Sequence, residues 1–269
     1  MSFSVSGRTA IVTGAAHGLG LAVARHLSDC GARVMFADMD EDRLKEELGD
    51  VSESDDIAYF AGDLREKLTL ANLMSATLDA FDRVDILVNA SRQMQLSDPL
   101  DAGDEAVEQL LQQNLMTSLR MSQLAARRMI QQVEEAGDDE ARPAGTIVNL
   151  SSIAARRSHP RLLAFSVSAA AVDQMTRSLA LALAPHRIRV NGIACGSMMS
   201  SSLKNVLKEN SDYRGDIMEK TPLQRIANAA EIAETVQYLA SEGSGFMTGQ
   251  ILTLDGGRTL LDPVTAPAH

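Results

Sequence analysis

The chain has 269 residues, a formal net charge of −11, 45% hydrophobic and 23% charged side chains. That length fits one large α/β domain spanning 1–269, and the acidity, with no long Lys/Arg run, argues against a nucleic-acid face. Two cysteines, an N-terminus unlike a signal peptide and no apolar run of about 18–20 residues point to a cytoplasmic protein with no membrane partner. Aromatics are scarce at 3%, with no Trp, so the core must be built from Ala, Leu, Ile, Val and Met.

The first predicted strand covers 9–13 (TAIVT) and runs into the turn TGAAHGLG and a helix at 18–29. A glycine-rich turn between a strand and a helix lets backbone approach a pyrophosphate, and the helix N-terminus adds free N–H groups and a positive dipole end. Gly14, His17, Gly18, Leu19 and Gly20 are therefore candidate dinucleotide contacts. The second strand, 33–37, leads to Asp38, eighteen residues beyond Gly20, where a carboxylate can bind a ribose diol. A 2′-phosphate would meet that charge with no evident arginine partner, so NAD is expected rather than NADP. A helix at 41–49 follows. The third strand, 57–60, precedes Asp63 and Leu64, placed near an adenine. Then come a helix at 66–82, a strand at 85–89 and a helix at 104–135. The acidic stretch 131–145 (QQVEEAGDDEARPAG) reads as a solvated loop extending that helix.

Strand 146–150, helix 165–184, strand 188–193, helix 228–241 and strand 251–254 complete the pattern. This βαβα rhythm predicts an α/β fold: a doubly wound parallel sheet with helices on both faces. Near-continuous apolar strands suit a sheet covered on both sides. No metal site is expected.

TGAAHGLG, LQQNLMTS, IVNLSS, IRVNGIACG and the stretch 222–257 together resemble the short-chain dehydrogenase/reductase family over nearly the whole chain. The resemblance implies a seven-stranded Rossmann-like sheet, a dinucleotide cofactor and often a tetramer built on the fourth and fifth helices. A homo-oligomer, dimer or tetramer, is thus expected, with a hetero-oligomer as the alternative. It assigns Ser152 and Asn114 to retained catalytic positions, and adds Asn89, Ala90, Gly196 and Met198 to the cofactor contacts. In the family a tyrosine phenol moves the proton, and a lysine four residues later shifts its pKa and holds the ribose. A phenol is a poor base at neutral pH without such a cation.

Here the register places Phe165 at the tyrosine position and Ala169 at the lysine position. No substitute lies nearby: the tyrosines are Tyr59, Tyr213 and Tyr238, and no lysine occurs between Lys67 and Lys204. A second departure is NASR at 89–92, where the family has NNAG. Arg92 either folds outward or enters the cofactor site, where it would replace the missing lysine charge or obstruct the nicotinamide ring.

Other candidates are weaker. His159, beside Arg156, Arg157 and Arg161, has a pKa suited to proton transfer, but a loop histidine is usually a surface residue. The arginines could bind an anionic small molecule. Cys195 reads as a small buried residue filling a proline's space. SMMSSSL at 197–203 reads as the family's substrate-covering loop. Three functions follow: a dinucleotide-binding or regulatory protein without ordinary carbonyl/alcohol oxidoreduction; an NAD-dependent oxidoreductase with chemistry rebuilt on Ser152 with His159 or Arg92; and a structural subunit paired with an active homologue.

Overall fold

The computed structural model describes residues 3–49, 55–137 and 143–262. Seven strands form one parallel sheet in the order β3-β2-β1-β4-β5-β6-β7: β1 Thr9–Thr13, β2 Arg33–Asp38, β3 Ile57–Ala61, β4 Ile86–Asn89, β5 Gly145–Ser152, β6 Ile188–Cys195 and β7 Ile251–Leu254. The four central strands are buried at every residue, while the edge strands β3 and β7 are partly exposed. That matches the continuous apolar runs expected of a covered parallel sheet.

Side chains alternate across the sheet with period two. Val12, Phe36, Val88, Val148 and Ile193 pack on one face against α1 (Gly18–Asp29), α2 (Glu41–Leu48) and α9 (Ala229–Ala240). Ile11, Met35, Leu87, Ile147 and Val190 pack on the other against α3 (Lys67–Phe81), α5 (Thr117–Glu135) and α6 (Leu163–Leu183). With so few aromatics, Phe36 is the one aromatic among the largest fully buried side chains, and aliphatic and Met residues do the rest.

Several elements differ from the sequence reading. The helix expected at 104–135 begins as α4 (Ala106–Leu110) and opens into a wide, π-helical turn at Leu111–Met116 before α5. β5 and β6 each run two residues further than expected, because Ser151 pairs with Ala194 and Ser152 with Cys195. Small and polar residues hid that extension from an apolar pattern. The stretch 197–203 is not wholly loop: Ser200 caps a helix, α7 (Ser201–Glu209), and α8 (Asp212–Glu219) follows. Both are short and largely solvent-facing; α7 carries Leu203, Val206 and Leu207 at helical spacing, a periodic signal of a helix there, whereas the pattern in α8 is weak. Of the acidic stretch 131–145, α5 extends to Glu135 and β5 starts at Gly145, while 138–142 lie outside the described residues.

Strand order reverses between β1 and β4, with β2 on one side and β5 on the other. Ligands of doubly wound sheets bind at such a crevice, beyond the carboxyl ends of the strands. Gly14 follows β1 at that end, and Asp38, Asn89, Ser152 and Cys195 close β2, β4, β5 and β6 there.

Candidate functional site

The turn after β1 is locked to the end of β2. Ala15 N–H donates to the Ala37 carbonyl at 3.2 Å, and Ala16 N–H donates to Asp38 Oδ2 at 3.0 Å. Helix α1 then starts at Gly18 with no capping side chain and no acid in its first turn. By contrast, α2, α7 and α9 are capped by Asp40, Ser200 and Asn228. An uncapped N-terminus offers orphan N–H groups and a positive dipole end to an anion.

Two glycines are sterically required here. A Cβ on Gly20 would lie 2.0 Å from the Gly14 carbonyl oxygen. One on Gly14, at φ 70°, would lie 2.8 Å from Ser91 backbone. Gly20→Ala is accordingly expected to weaken nucleotide binding by at least about tenfold, or about 1.4 kcal/mol. Calorimetric titration, with circular dichroism as a control for fold, checks this.

Asp38 is held as a preset acceptor. Beyond Ala16, its Oδ1 accepts from the N–H groups of Met39 at 2.7 Å and Asp40 at 3.2 Å. His17 is drawn to the rim instead, with Nε2 2.8 Å from Asp40 Oδ2. The Arg43 backbone N–H and His17 together hold the Asp40 carboxyl below the usual range. Leu19 packs into the core, so what it can offer a ligand is backbone N–H. Asp63 lies at the end of β3, and Leu64 is buried beneath it. Arg65 clamps both Asp63 oxygens at 2.6 to 3.0 Å, lowering its pKa.

At the end of β4, Thr13 Oγ1 accepts from the N–H groups of Ala90 at 3.1 Å and Ser91 at 3.2 Å. Asn89 points away from the crevice. Its amide donates to Asn149 Oδ1 at 2.8 Å and Ser122 Oγ at 3.0 Å. The buried side chain therefore ties β4 to β5 and α5, and a ligand would meet the backbone here. Asn114 occupies the wide turn, where a π-type distortion commonly marks functional positions. It brackets Gln93 through both amide atoms, donating at 2.9 Å to the carbonyl and accepting at 2.8 Å from the N–H. It also donates to Ser168 Oγ at 3.1 Å. Asn114 thus fastens the segment after β4 to helix α6.

The end of β5 carries Ser152, buried, with its Oγ accepting from Ala154 N–H at 3.2 Å. Phe165 and Ala169 face inward from α6 and are 7% and 5% exposed. The Phe165 ring belongs to a small apolar cluster with Ala106, Leu110, Ala154 and Ala164. The Ala169 carbonyl accepts from Ser151 Oγ at 3.3 Å. Neither residue brings an ionisable group to this place.

Arg92 turns inward. Its Nη1 donates to the Ser151 carbonyl at 2.7 Å, so the side chain crosses from the end of β4 to the end of β5. It is half-buried and makes no ion pair among the described residues. Its charge reaches Cys195 at the end of β6, lowering a thiol pKa that burial raises more strongly. Gly196 is confined, since a Cβ there would lie 2.8 Å from the Asp255 Cα. Met198 is buried beyond it and bridges to Ala227.

The arginine-rich segment is largely spent on the protein. Arg156 donates to Thr253 Oγ1 at 3.0 Å and Arg157 to the Thr259 carbonyl. His159 is exposed, and its Nδ1 accepts from Arg161 N–H at 3.2 Å, capping a short 3-10 turn. Among the described residues, no group of three His, Cys, Asp or Glu could hold a metal ion, and no helix is long and apolar enough to cross a membrane.

Sequence reasoning missed Asp173. The signal was an acid on the inner face of α6, four residues after Ala169. It is 4% exposed, and burial pushes its carboxyl pKa up against the opposing pull of Ser151, Arg156 and Arg177. Arg156 Nη2 stands 3.8 Å from its Oδ2. A folded pKa above the unfolded one means the fold binds this proton more tightly. Stability from this group is fully present below the unfolded pKa and is lost as pH rises through the folded one. Asp173→Asn is expected to raise Tm at pH 7 by roughly 2–4 °C, about 1 kcal/mol. The gain should shrink as pH falls toward 4. A thermal-melt series over pH reads both.

A family model described as enoyl-(acyl carrier protein) reductase matches residues 14–259. The chain belongs to the short-chain dehydrogenase/reductase family. It is 31% identical to mouse L-fucose dehydrogenase over 262 residues, 95% of this chain and 89% of the relative. It is also 31% identical to 7α-hydroxysteroid dehydrogenase of Clostridium sardiniense over 264 residues, 96% of each. Among solved structures, gox2181 superposes with a TM-score of 0.87 at 29% identity, covering 97% of this chain and 98% of that one. A 7α-hydroxysteroid dehydrogenase complexed with NADH and 7-oxo glycochenodeoxycholic acid gives 0.86 at 25% identity, covering 95% and 96%. The family's members include dehydrogenases acting on CH–OH groups, with NADH bound in that solved example.

Proposed function

We propose that this chain is a nucleotide-binding member of the family that has lost ordinary carbonyl/alcohol oxidoreduction, or retains it very weakly, and acts as a binding or regulatory protein. The observation that carries this reading is the filling of the proton-transfer segment by buried Phe165 and Ala169. Ser152 and Asn114 remain, but a hydroxyl and an amide without a phenol or ammonium leave no group that exchanges a proton near neutral pH. Removing a general acid typically costs about 10²–10⁴ in rate, roughly 3–5 kcal/mol at the barrier.

The adenosine end fits a bound dinucleotide. Gly14, Gly18 and Gly20 leave the backbone cradle open, the N–H groups of Gly18, Leu19 and Gly20 would take the pyrophosphate, and Asp38 would take the ribose diol. Asp38 also favours NAD over NADP, because a 2′-phosphate would meet its carboxylate. When bound, such a cofactor supplies hydride chemistry. The other end fits poorly: Ala90, Gly196 and Met198 line it, but Arg92 crosses it. Rebuilt catalysis is the weaker alternative. His159 spends Nδ1 on its own turn, and arginine stays charged and so moves no proton. Pairing with an active homologue would be tested by copurification.

The deciding experiment combines NAD and NADH calorimetry with a broad alcohol, aldehyde and ketone panel. Binding with no turnover supports the reading. Robust turnover abolished by Ser152→Ala would overturn it, and no binding at millimolar nucleotide would leave only a scaffold.

A further inference from the structure

We infer that the crevice selects an adenosine 5′-polyphosphate over NAD, with Arg92 as the receptor for the terminal phosphate. The inference rests on the nucleotide-site reading above and concerns what occupies its second half. Asp38, at the end of β2, fixes the adenosine end on the β2 side of the crevice. The uncapped start of α1 takes the inner phosphates at the switch point. Whatever follows them must extend over the ends of β4 and β5.

That space holds the Arg92 side chain. Its backbone neighbour Ser91 lies against Gly14, so Arg92 springs from the rim of the phosphate turn itself. Its guanidinium reaches the Ser151 carbonyl, one strand further across the sheet. Neighbouring strands lie about 4.8 Å apart. The side chain therefore covers the ground that a second ribose and its base would need.

The same guanidinium has donors to spare. Arginine carries five N–H groups in a planar fork suited to phosphate. One of these, on Nη1, is bound to Ser151, and no carboxylate pairs with the group among the described residues. Just beyond the end of β6, Arg258 Nη1 donates to Ser197 Oγ at 3.2 Å. Asp173 lies behind Ser151 on the α6 side, paired with Arg156, and Cys195 is buried at the end of β6 with its thiol pKa raised. The crevice thus presents two anion receptors in series, the α1 N-terminus and Arg92, with Asp38 beyond the first. A chain of two or three phosphates on an adenosine matches that order. A nicotinamide riboside brings a bulky, uncharged ribose and a cationic ring to a site that already holds a cation.

Calorimetry with ADP, ATP and NAD on the wild-type chain, Arg92→Gly and Asp38→Ala tests this. In the wild-type chain ADP or ATP should bind at least tenfold more tightly than NAD. Arg92→Gly should weaken the better polyphosphate at least tenfold and tighten NAD, reversing the order. Asp38→Ala should weaken all three together. NAD binding more tightly than both polyphosphates in the wild-type chain overturns the inference and leaves the nucleotide site standing. So does an order that Arg92→Gly does not change. Failure of all three ligands to bind at millimolar concentration overturns both. Circular dichroism and thermal melts establish that each variant is folded, and Arg92→Gln supplies a second neutral variant should Arg92→Gly melt early.

Discussion

The triple variant Phe165→Tyr, Ala169→Lys, Arg92→Gly is expected to raise NAD-dependent alcohol or ketone turnover about 10²–10⁴-fold above the wild-type chain. Phe165 already sits on the first turns of α6, in contact with Ala154 just after Ser152. A phenol hydroxyl added at the ring tip leaves that apolar packing in place. The ammonium from Ala169→Lys lies one helical turn further on, the spacing that brings side chains to one helix face. Its effect is to favour the phenolate and so move the proton-transfer pKa toward neutrality. The double variant without Arg92→Gly is expected to stay near the wild-type rate. The Arg92 guanidinium and the Ala169 carbonyl are both hydrogen-bonded to Ser151, so the new ammonium would be forced against an existing cation in a half-buried site. Steady-state assays of the two variants on one substrate panel separate these effects. If the triple variant binds NAD and turns over nothing, the substrate pocket has diverged too, and the view that these three positions alone block the reaction fails.

The parts of the fold that could be read from sequence were those with a strong period or a fixed turn chemistry. TAIVT, DILVN and TIVNL read as buried strands because a covered parallel sheet tolerates unbroken apolar runs. The Gly14–Gly20 turn was legible because only glycine fits beside the Gly14 carbonyl and the Ser91 backbone. What could not be read depended on direction. Sequence placed Arg92 at the rim but could not say which way its long, flexible side chain would turn. Its inward turn is fixed by the Ser151 carbonyl, which lies beyond the predicted end of β5. His17 was placed with the cofactor contacts, yet Asp40 competes for its ring. Asn89 likewise looked like a ligand contact, but the Asn149 and Ser122 side chains claim its amide. Asp173, between Val172 and Gln174, had its position on the inner face of α6 as its one sequence signal, and its burial comes from β5 and α6 packing together.

Arg189→Met is expected to cost about 3 kcal/mol of stability and lower Tm by roughly 6–12 °C, while leaving nucleotide affinity within about threefold. Arg189 stands on β6, 8% exposed, and carries the densest set of hydrogen bonds to main chain seen here. Its Nη2 donates to the carbonyls of Leu239 at 2.9 Å and Ser241 at 3.1 Å, and its Nη1 to Ser244 Oγ at 2.8 Å and the Met247 carbonyl at 3.5 Å. Burial, helped by Arg8, pushes its pKa down to about 10, so it still carries its charge at neutral pH. That charge sits at the C-terminus of α9, where orphan carbonyls and the negative dipole end call for a cation. Methionine keeps much of the volume, so the loss is one of hydrogen bonds to buried carbonyls rather than of packing. The desolvation cost of the guanidinium is recovered, which is why the net figure lies well below the sum of its bonds. Arg189→Lys should fall between, because one ammonium cannot match the two-pronged fork. The affinity half of the prediction is the sharper one. Helix α9 packs on α1 through Ile232 and Val236 in the cluster that holds Val23 and Leu27, but the phosphate turn is fixed independently by Ala37, Asp38 and Ser91. A tenfold loss of ADP or NAD affinity in a folded Arg189→Met chain would show that this end of the core, and not the β2 and β4 contacts alone, sets the geometry of the turn.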